Sequence, residues 1–130
     1  MNIKILYIED NDQNFYLVDF ILNSRGYDIV RARDGNEGIE IAGSLQADLI
    51  LLDIQLPEMD GYFVAQALRS NPDLYSVPIV AVTSYAMTGD REKAFEAGCT
   101  GYIEKPINPS TFAQQIDEYL FKSRLKKEEI

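Results

Sequence analysis

The sequence predicts an α/β fold in which helices cover both faces of a five-stranded parallel sheet. Five short apolar segments alternate with five segments of helical pattern along the 130 residues, and strict alternation implies parallel strands joined by right-handed crossovers. The third apolar segment, 48–53, has no charge along its middle, as expected of a strand buried on both faces. Polar residues follow the apolar segments directly, at the edge where open α/β sheets place their ligands.

The first two strand–helix pairs are predicted from apolar spacing and from capping residues. Strand one covers 3–8 and its helix covers 13–25, where Gly26 supplies a left-handed residue that ends the helix. Strand two covers 28–32, and Asp34 is placed to cap the second helix. The inward positions of these two helices are expected to be Phe15, Val18, Ile21, Leu22, Ile39, Ala42 and Leu45.

The third and fourth pairs extend the pattern through the middle of the chain. Strand three ends at Asp53, and the helix predicted at 62–70 is stopped by Pro72. Strand four is predicted at 79–82. The helix after it, at 88–97, is rich in alanine and charge and stops at a glycine.

The fifth pair completes one domain. Strand five, 102–104, is short, and the last helix begins at 109 or 110. We expect one domain over 1–122 and a charged tail over 123–130, with the chain fraying from Lys122 onward. The inward positions of the last helix are expected to be Phe112, Ile116, Tyr119 and Leu120.

Composition and charge exclude several classes of function. The net charge of -9 disfavours nucleic acid as a partner, and the chain has no histidine to act as a base, a metal ligand or a phosphate carrier. No apolar stretch is long enough to span a membrane, and residues 1–4 lack the order of a signal peptide. The single Cys99 cannot form an internal disulfide, which agrees with a reducing, cytoplasmic location.

Three acids follow strands one and three: Glu9, Asp10 and Asp53. If these strands are neighbours, the carboxylates converge, and their repulsion would leave at least one of them protonated unless a cation were present. Mg²⁺ fits because it takes oxygen ligands, keeps several waters and accepts one or two carboxylates together with a phosphate. If Glu9 and Asp10 are considered without Asp53, helix capping explains them as well as a metal site does. Helix capping would not explain Asp53.

Two polar residues follow the later strands. Lys105 comes after strand five, so its ammonium can reach toward Asp53 and hold a phosphoryl oxygen or, without phosphate, a carboxylate. Thr83 offers a hydroxyl to the same oxygens. Taken alone, Lys105 could be a surface lysine and Thr83 a β-branched strand end. Together with the acids, they predict a phosphoryl-transfer site with Asp53 as the acceptor.

These residues lie in four segments that resemble the response-regulator receiver domain, the aspartate-phosphorylated half of two-component signalling. The segments are 7–11, 51–61, 82–86 and 98–106, and in this order and spacing they cover essentially the whole chain. The resemblance implies a CheY-like, flavodoxin-like doubly wound sheet with strand order 2-1-3-4-5. It also implies that Asp53 is the phosphoacceptor and that Mg²⁺ is held by Glu9, Asp10, Asp53 and the backbone carbonyl of Gln55.

The resemblance further implies a phosphate-dependent switch. Thr83 and Lys105 would bind the phosphoryl group, and Pro106 would follow a cis peptide bond. Tyr102 matches the family's switch aromatic, whose ring turns inward when Thr83 moves toward the phosphoryl group. That movement would repack the face built from the fourth helix, fifth strand and fifth helix. A simpler role for Tyr102, as a strand aromatic packed on the core, fits one of the two states.

Three positions depart from or vary within the family pattern. Glu9 stands where an aspartate is commoner, which should leave metal binding intact but lengthen one arm of the site. Gln55 and Tyr85 occupy the two positions that adjust how water reaches the aspartyl phosphate. An amide could orient water and a tyrosine ring could block it, so the lifetime of the phosphate stays open.

Other functions fit these residues less well. A flavin mononucleotide carrier would need phosphate donors after strand one, where the acidic segment 9–12 would repel a phosphate. A haloacid-dehalogenase-type phosphatase would need a second aspartate in place of Gln55 and a cap domain. A P-loop nucleotidase would need a Gly-Lys-Ser/Thr loop. The main alternative is a phosphorylation-independent interaction module on the receiver fold, although degenerate receivers of that kind lose the acids or the lysine.

The expected function is that of a stand-alone response regulator in a two-component system or phosphorelay. It would take phosphate from a histidine kinase or a histidine phosphotransfer protein, and then bind a downstream target or pass the phosphate on. A receiver domain cut from a hybrid kinase would have the same sequence features. We expect a monomer or weak dimer with no nucleic-acid or membrane partner, and no enzymatic activity beyond its own phosphorylation and dephosphorylation.

Overall fold

The computed structural model describes residues 2–56, 59–84 and 89–128, which form the predicted sheet. The strands are β1 (Lys4–Ile8), β2 (Asp28–Ala32), β3 (Leu49–Asp53), β4 (Ile79–Thr83) and β5 (Gly101–Glu104). They are all parallel and lie in the order β2-β1-β3-β4-β5. The predicted fold class and strand order are therefore confirmed.

Within the described ranges, five α-helices connect and cover the strands. They are α1 (Asp12–Asn23), α2 (Gly35–Leu45), α3 (Gly61–Arg69), α4 (Asp90–Glu96) and α5 (Pro109–Glu128), with a short 3₁₀ helix at Pro72–Leu74. Side chains cap the first two helices. Asp34 accepts from the backbone N–H of Glu37, as predicted, and Asn11 accepts from the backbone N–H of Asn14, a cap that was not predicted. No helix among the described residues is long and apolar enough to cross a lipid bilayer.

Two apolar layers sandwich the sheet because neighbouring residues of a strand face opposite sides. One layer packs Leu6, Ile50 and Ala81 against α2, α3 and α4, and the other packs residues such as Leu51 and Val80 against α1 and α5. Every residue of β3 and β4 is buried. Of the predicted inward positions, the buried ones are Val18, Ile21, Leu22, Ala42, Phe112, Ile116 and Leu120, and the half-buried ones are Phe15, Ile39, Leu45 and Tyr119.

The prediction was wrong about the end of the chain. The segment from Lys122 was expected to fray, but α5 continues through it to Glu128. Residues 122–128 are mostly lysine, arginine, leucine and glutamate, which are strong helix formers. The hydroxyl of Ser123 also donates a 2.9 Å hydrogen bond to the carbonyl of Ser76, which ties the helix to the segment before β4.

The other element ends lie within two residues of their predicted positions. The predicted first residue of the fourth helix, Thr88, lies outside the described residues.

Candidate functional site

The candidate site lies at the edge of the sheet where the strands end. Ile8 of β1 pairs with Leu52 of β3, so Glu9 and Asp53 come next on neighbouring strands at the same level. Thr83 ends β4, the strand on the other side of β3. Parallel pairing thus brings the predicted acids and the predicted hydroxyl to one place.

The three predicted acids form a compact group. Glu9, Asp10 and Asp53 each offer a carboxylate oxygen, and these oxygens all lie within 4.8 Å of one another. Glu9 is 0% exposed and Asp53 is 3% exposed, whereas Asp10 faces solvent. Burial, followed by the hydrogen bond to Asp53 and the charge of Asp53, raises the pKa of Glu9 to about 7. A cluster of carboxylate oxygens with excess negative charge, two of them on buried residues and one on an exposed residue, fits a hard divalent cation such as Mg²⁺.

Lys105 supplies one positive charge to this group. Its ammonium nitrogen lies 3.4 Å from Oε2 of Glu9 and 3.4 Å from Oδ2 of Asp53. Both distances are longer than the 2.7–2.9 Å typical of charge-assisted hydrogen bonds, so the ammonium is shared loosely between two carboxylates. The peptide bond between Lys105 and Pro106 is cis, as predicted.

The loop after β3 orients the predicted acceptor. The backbone N–H of Gln55 donates a 2.9 Å hydrogen bond to Oδ1 of Asp53. The side-chain oxygen of Gln55 accepts from the hydroxyl of Ser84 at 2.6 Å and from its N–H at 3.3 Å, which links the loops after β3 and β4. Gly61 begins α3 against this loop, since a Cβ there would lie 2.5 Å from the Cα of Ile54.

The two predicted switch residues lie on neighbouring strands. Thr83 is 2% exposed at the end of β4, and a cavity of about 400 Å³ beside it is lined in part by Gln55 and Tyr62. Tyr102 of β5 is half-buried and packs against the apolar layer that includes Ala94 of α4. Tyr85, the second residue predicted to affect phosphate lifetime, lies outside the described residues.

Sequence reasoning missed three residues that hold the acidic loop. The hydroxyl of Tyr7 donates to Oε2 of Glu9 at 3.3 Å, and the amide of Asn14 donates to its Oε1 at 3.1 Å. Arg31 donates to the backbone carbonyls of Glu9 and Asp10, each at 3.1 Å. One signal was available for Tyr7: residues two apart on extended backbone share a face, and a buried tyrosine hydroxyl needs a partner.

The class of protein follows from this fold and site together with comparison to known families. The sequence pattern of the response regulator receiver domain family matches residues 5–117. The chain therefore belongs to the response regulator receiver domains of two-component signalling, with a CheY-like fold.

Individual relatives agree with this assignment. The chain is 40% identical over 117 residues to the polar-differentiation response regulator DivK of Brucella anthropi, a match that covers 90% of this chain and 95% of that protein. A CheY-like receiver domain protein from Methanospirillum hungatei JF-1 superposes with a TM-score of 0.90 at 26% identity, covering 97% of this chain and 99% of the other.

A third relative carries a metal. The receiver domain of a sensor histidine kinase from Pseudomonas aeruginosa PAO1 has a TM-score of 0.84 at 32% identity, with 92% of this chain and 98% of that chain covered. Its crystal structure holds a magnesium ion coordinated in the active site cleft.

Proposed function

We propose that this protein is a response regulator in which Asp53 accepts a phosphoryl group from a histidine kinase or a histidine phosphotransfer protein. One observation carries the proposal: the nearly buried carboxylate of Asp53 lies beside the carboxylates of Glu9 and Asp10 and 3.4 Å from the ammonium of Lys105. A carboxylate in that position has a cation beside it to receive the charge of an incoming phosphoryl group.

In the proposed transfer, an oxygen of Asp53 attacks the phosphorus of a phosphohistidine. The phosphorus–oxygen bond forms as the phosphorus–nitrogen bond breaks, and the imidazole leaves with the electron pair. The N–H of Gln55 fixes one oxygen of Asp53 during the attack. Lys105 moves from the carboxylates to the phosphoryl oxygens, and the hydroxyl of Thr83 donates to the same group.

The divalent cation is proposed to be Mg²⁺. Glu9, Asp10, Asp53 and the backbone carbonyl of Gln55 would hold it, as the oxygen cluster and the magnesium-bound Pseudomonas aeruginosa relative support. When bound, the ion neutralises charge on the phosphoryl oxygens during transfer.

The proposed output is a change of surface. Movement of Thr83 toward the phosphoryl group would let Tyr102 turn inward and repack the face formed by α4, β5 and α5, where a downstream target protein would bind. Gln55 and Tyr85 would set the lifetime of the phosphate. The protein would act as a monomer or weak dimer in the cytoplasm, where the ATP that charges histidine kinases is found, and would catalyse only its own phosphorylation and dephosphorylation.

The intact mass of the protein tests this proposal after incubation with Mg²⁺ and acetyl phosphate and a rapid acid quench. We expect one added phosphoryl group, lost in Asp53→Asn and in EDTA. Asp73→Asn, at an exposed aspartate, is the matched control and should be labelled like the wild type. Labelling that persists in Asp53→Asn would contradict the assignment of the acceptor, and no labelling of the wild type would favour a phosphorylation-independent interaction module.

A further inference from the structure

The carboxylate of Glu9 is held by four donors from the protein. Its Oε2 faces the hydroxyl of Tyr7 at 3.3 Å and the ammonium of Lys105 at 3.4 Å. Its Oε1 accepts from the amide of Asn14 at 3.1 Å and from the N–H of Asn11 at 3.3 Å. Contacts to both oxygens constrain the place and the rotation of the group.

Tyr7 is itself held rigidly. It is 0% exposed in β1, and its ring stacks on Phe15 with centroids 6.1 Å apart and planes at 25°. The guanidinium of Arg31 lies over the Phe15 ring, 4.8 Å from its centre. A phenylalanine would fill the same space and keep the stacking. The specific contribution of the tyrosine is therefore its hydroxyl, which reaches the acidic site from inside the core.

We propose that Tyr7 is a positioning residue for the divalent cation and acts through Glu9. This inference rests on the proposed function. Lys105, the other donor to Oε2, would leave for the phosphoryl group during transfer, so the hydroxyl of Tyr7 is the donor that keeps this oxygen in place throughout. Groups that hold metal-binding side chains by hydrogen bonds commonly change metal affinity by about 10- to 100-fold when they are removed.

The contact between Tyr7 and Glu9 also explains why position 9 holds a glutamate. The extra methylene of Glu9 carries its carboxylate far enough to contact both Tyr7 and Asn14. An aspartate would place the carboxylate one carbon–carbon bond closer to the backbone, away from the hydroxyl. Tyr7 and Glu9 are therefore expected to act as a coupled pair in which the tyrosine matters only when the longer acid is present.

Isothermal titration of the purified protein with Mg²⁺ tests the role of Tyr7. Tyr7→Phe should bind Mg²⁺ about tenfold more weakly than the wild type. Tyr27→Phe is the matched control, because it also removes a hydroxyl that donates to a carboxylate, that of Asp117. Its Mg²⁺ affinity should equal that of the wild type. Circular dichroism melting without metal confirms that both variants fold.

Two further readouts separate positioning from a general structural effect. In a Glu9→Asp background, Tyr7→Phe should leave the Mg²⁺ affinity almost unchanged, since the hydroxyl has no carboxylate within reach. Mg²⁺ should also perturb the ultraviolet absorption of a buried tyrosine in the wild type and in Tyr27→Phe, but not in Tyr7→Phe. Equal Mg²⁺ affinity in wild type and Tyr7→Phe, or an undiminished effect in the Glu9→Asp background, would overturn the role of Tyr7. Absence of Mg²⁺ binding by the wild type would instead contradict the metal site of the proposed function.

Discussion

Two partly buried cations lie at opposite edges of the sheet, one at the edge where the strands end and one at the edge where they begin. The two cations are held in different ways. Lys105, at the edge where the strands end, lies 3.4 Å from each of two carboxylate oxygens. Arg69, at the end of α3 near the start of β4, donates to neutral acceptors at 2.7–3.3 Å. These acceptors are the backbone carbonyls of Leu74, Tyr75, Val77 and Gly98 and the hydroxyl of Thr100.

The difference separates the edge that carries the proposed phosphoryl site from an edge with a structural role. Long contacts to charged groups can be exchanged when a phosphoryl group or a metal changes the local charge. The planar guanidinium of Arg69 instead donates in fixed directions to backbone carbonyls of several neighbouring segments. No exchange of hydrogen-bond partners is needed there. Substitutions at the two edges should therefore affect different observables.

The largest expected effect is that of Lys105→Met on the chemistry. Loss of the ammonium should slow phosphorylation of Asp53 by about 10²- to 10³-fold, the usual consequence of removing one donor to a developing charge. The free energy of unfolding in saturating Mg²⁺ should change by less than about 1 kcal/mol, since the metal still compensates the acids. Initial rates with acetyl phosphate and urea denaturation measure the two quantities. A normal rate with a large loss of stability would reverse the roles assigned to the two cations.

Arg69→Met should have the opposite pattern. We expect a loss of about 2–3 kcal/mol in the free energy of unfolding, because several partly buried carbonyls lose a charged donor. The rate of phosphorylation per folded molecule should be unchanged. Arg69→Lys is the control for charge, and it should recover only part of the stability because an ammonium lacks the planar fork. Full recovery by lysine would show that the charge, rather than the set of hydrogen bonds, stabilises this edge.

A smaller effect is expected from adding a methyl group at either edge. At Gly61 the new Cβ would lie 2.5–2.8 Å from the backbone of Ile54, which cannot move without shifting the loop after Asp53. Gly61→Ala should cost about 1–3 kcal/mol. At Gly101 the Cβ would meet the ring end of Tyr119 at 2.3–2.5 Å, and a side chain can turn aside. Gly101→Ala should therefore cost less than Gly61→Ala in urea denaturation, and the reverse order would contradict this account of the loop.

The last expected effect is a dependence of stability on pH at the edge that carries the proposed phosphoryl site. Burial and the neighbouring Asp53 raise the pKa of Glu9 from 4.5 to about 7, so between these values the folded state keeps a proton that the unfolded state has lost. Without metal, the contribution of Glu9 to stability is full below pH 4.5 and is lost as the pH rises through 7.

Thermal denaturation from pH 4.5 to pH 7.5 measures this dependence, with and without Mg²⁺. Saturating Mg²⁺ should reduce or abolish the loss of stability, because the cation favours the ionised carboxylates. Glu9→Gln, which cannot ionise, is the control and should lack this part of the pH dependence. A metal-free protein whose stability rises steadily across the range would contradict the raised pKa of Glu9.

The sequence was sufficient for the sheet and for the core of the site because both follow from local pattern and strand order. An apolar run that ends in Asp53 predicts a buried strand and also places its carboxylate at the edge of the sheet. Glu9 and Lys105 follow their strands in the same way, so parallel pairing brings them together with Asp53.

The remaining features depend on contacts between distant segments. Arg69 bonds to Gly98 and Thr100, about thirty residues away, and no local pattern indicates those partners. The charge of the last residues predicts fraying, but α5 continues to Glu128 because these residues favour helix and because Ser123 bonds to the distant carbonyl of Ser76. The bond between Tyr7 and Glu9 is the exception: it joins residues two apart on β1, and the alternation of side chains along a strand indicates that they share a face.

The most direct test of the central claim locates the phosphoryl group on the chain. Borohydride reduction of the protein labelled with acetyl phosphate converts an aspartyl phosphate to homoserine, which peptide mapping by mass spectrometry assigns to a position. The account predicts homoserine at position 53 and at no other aspartate, only when Mg²⁺ is present. Homoserine at another aspartate, or a phosphorylated protein with an unchanged Asp53, would contradict it.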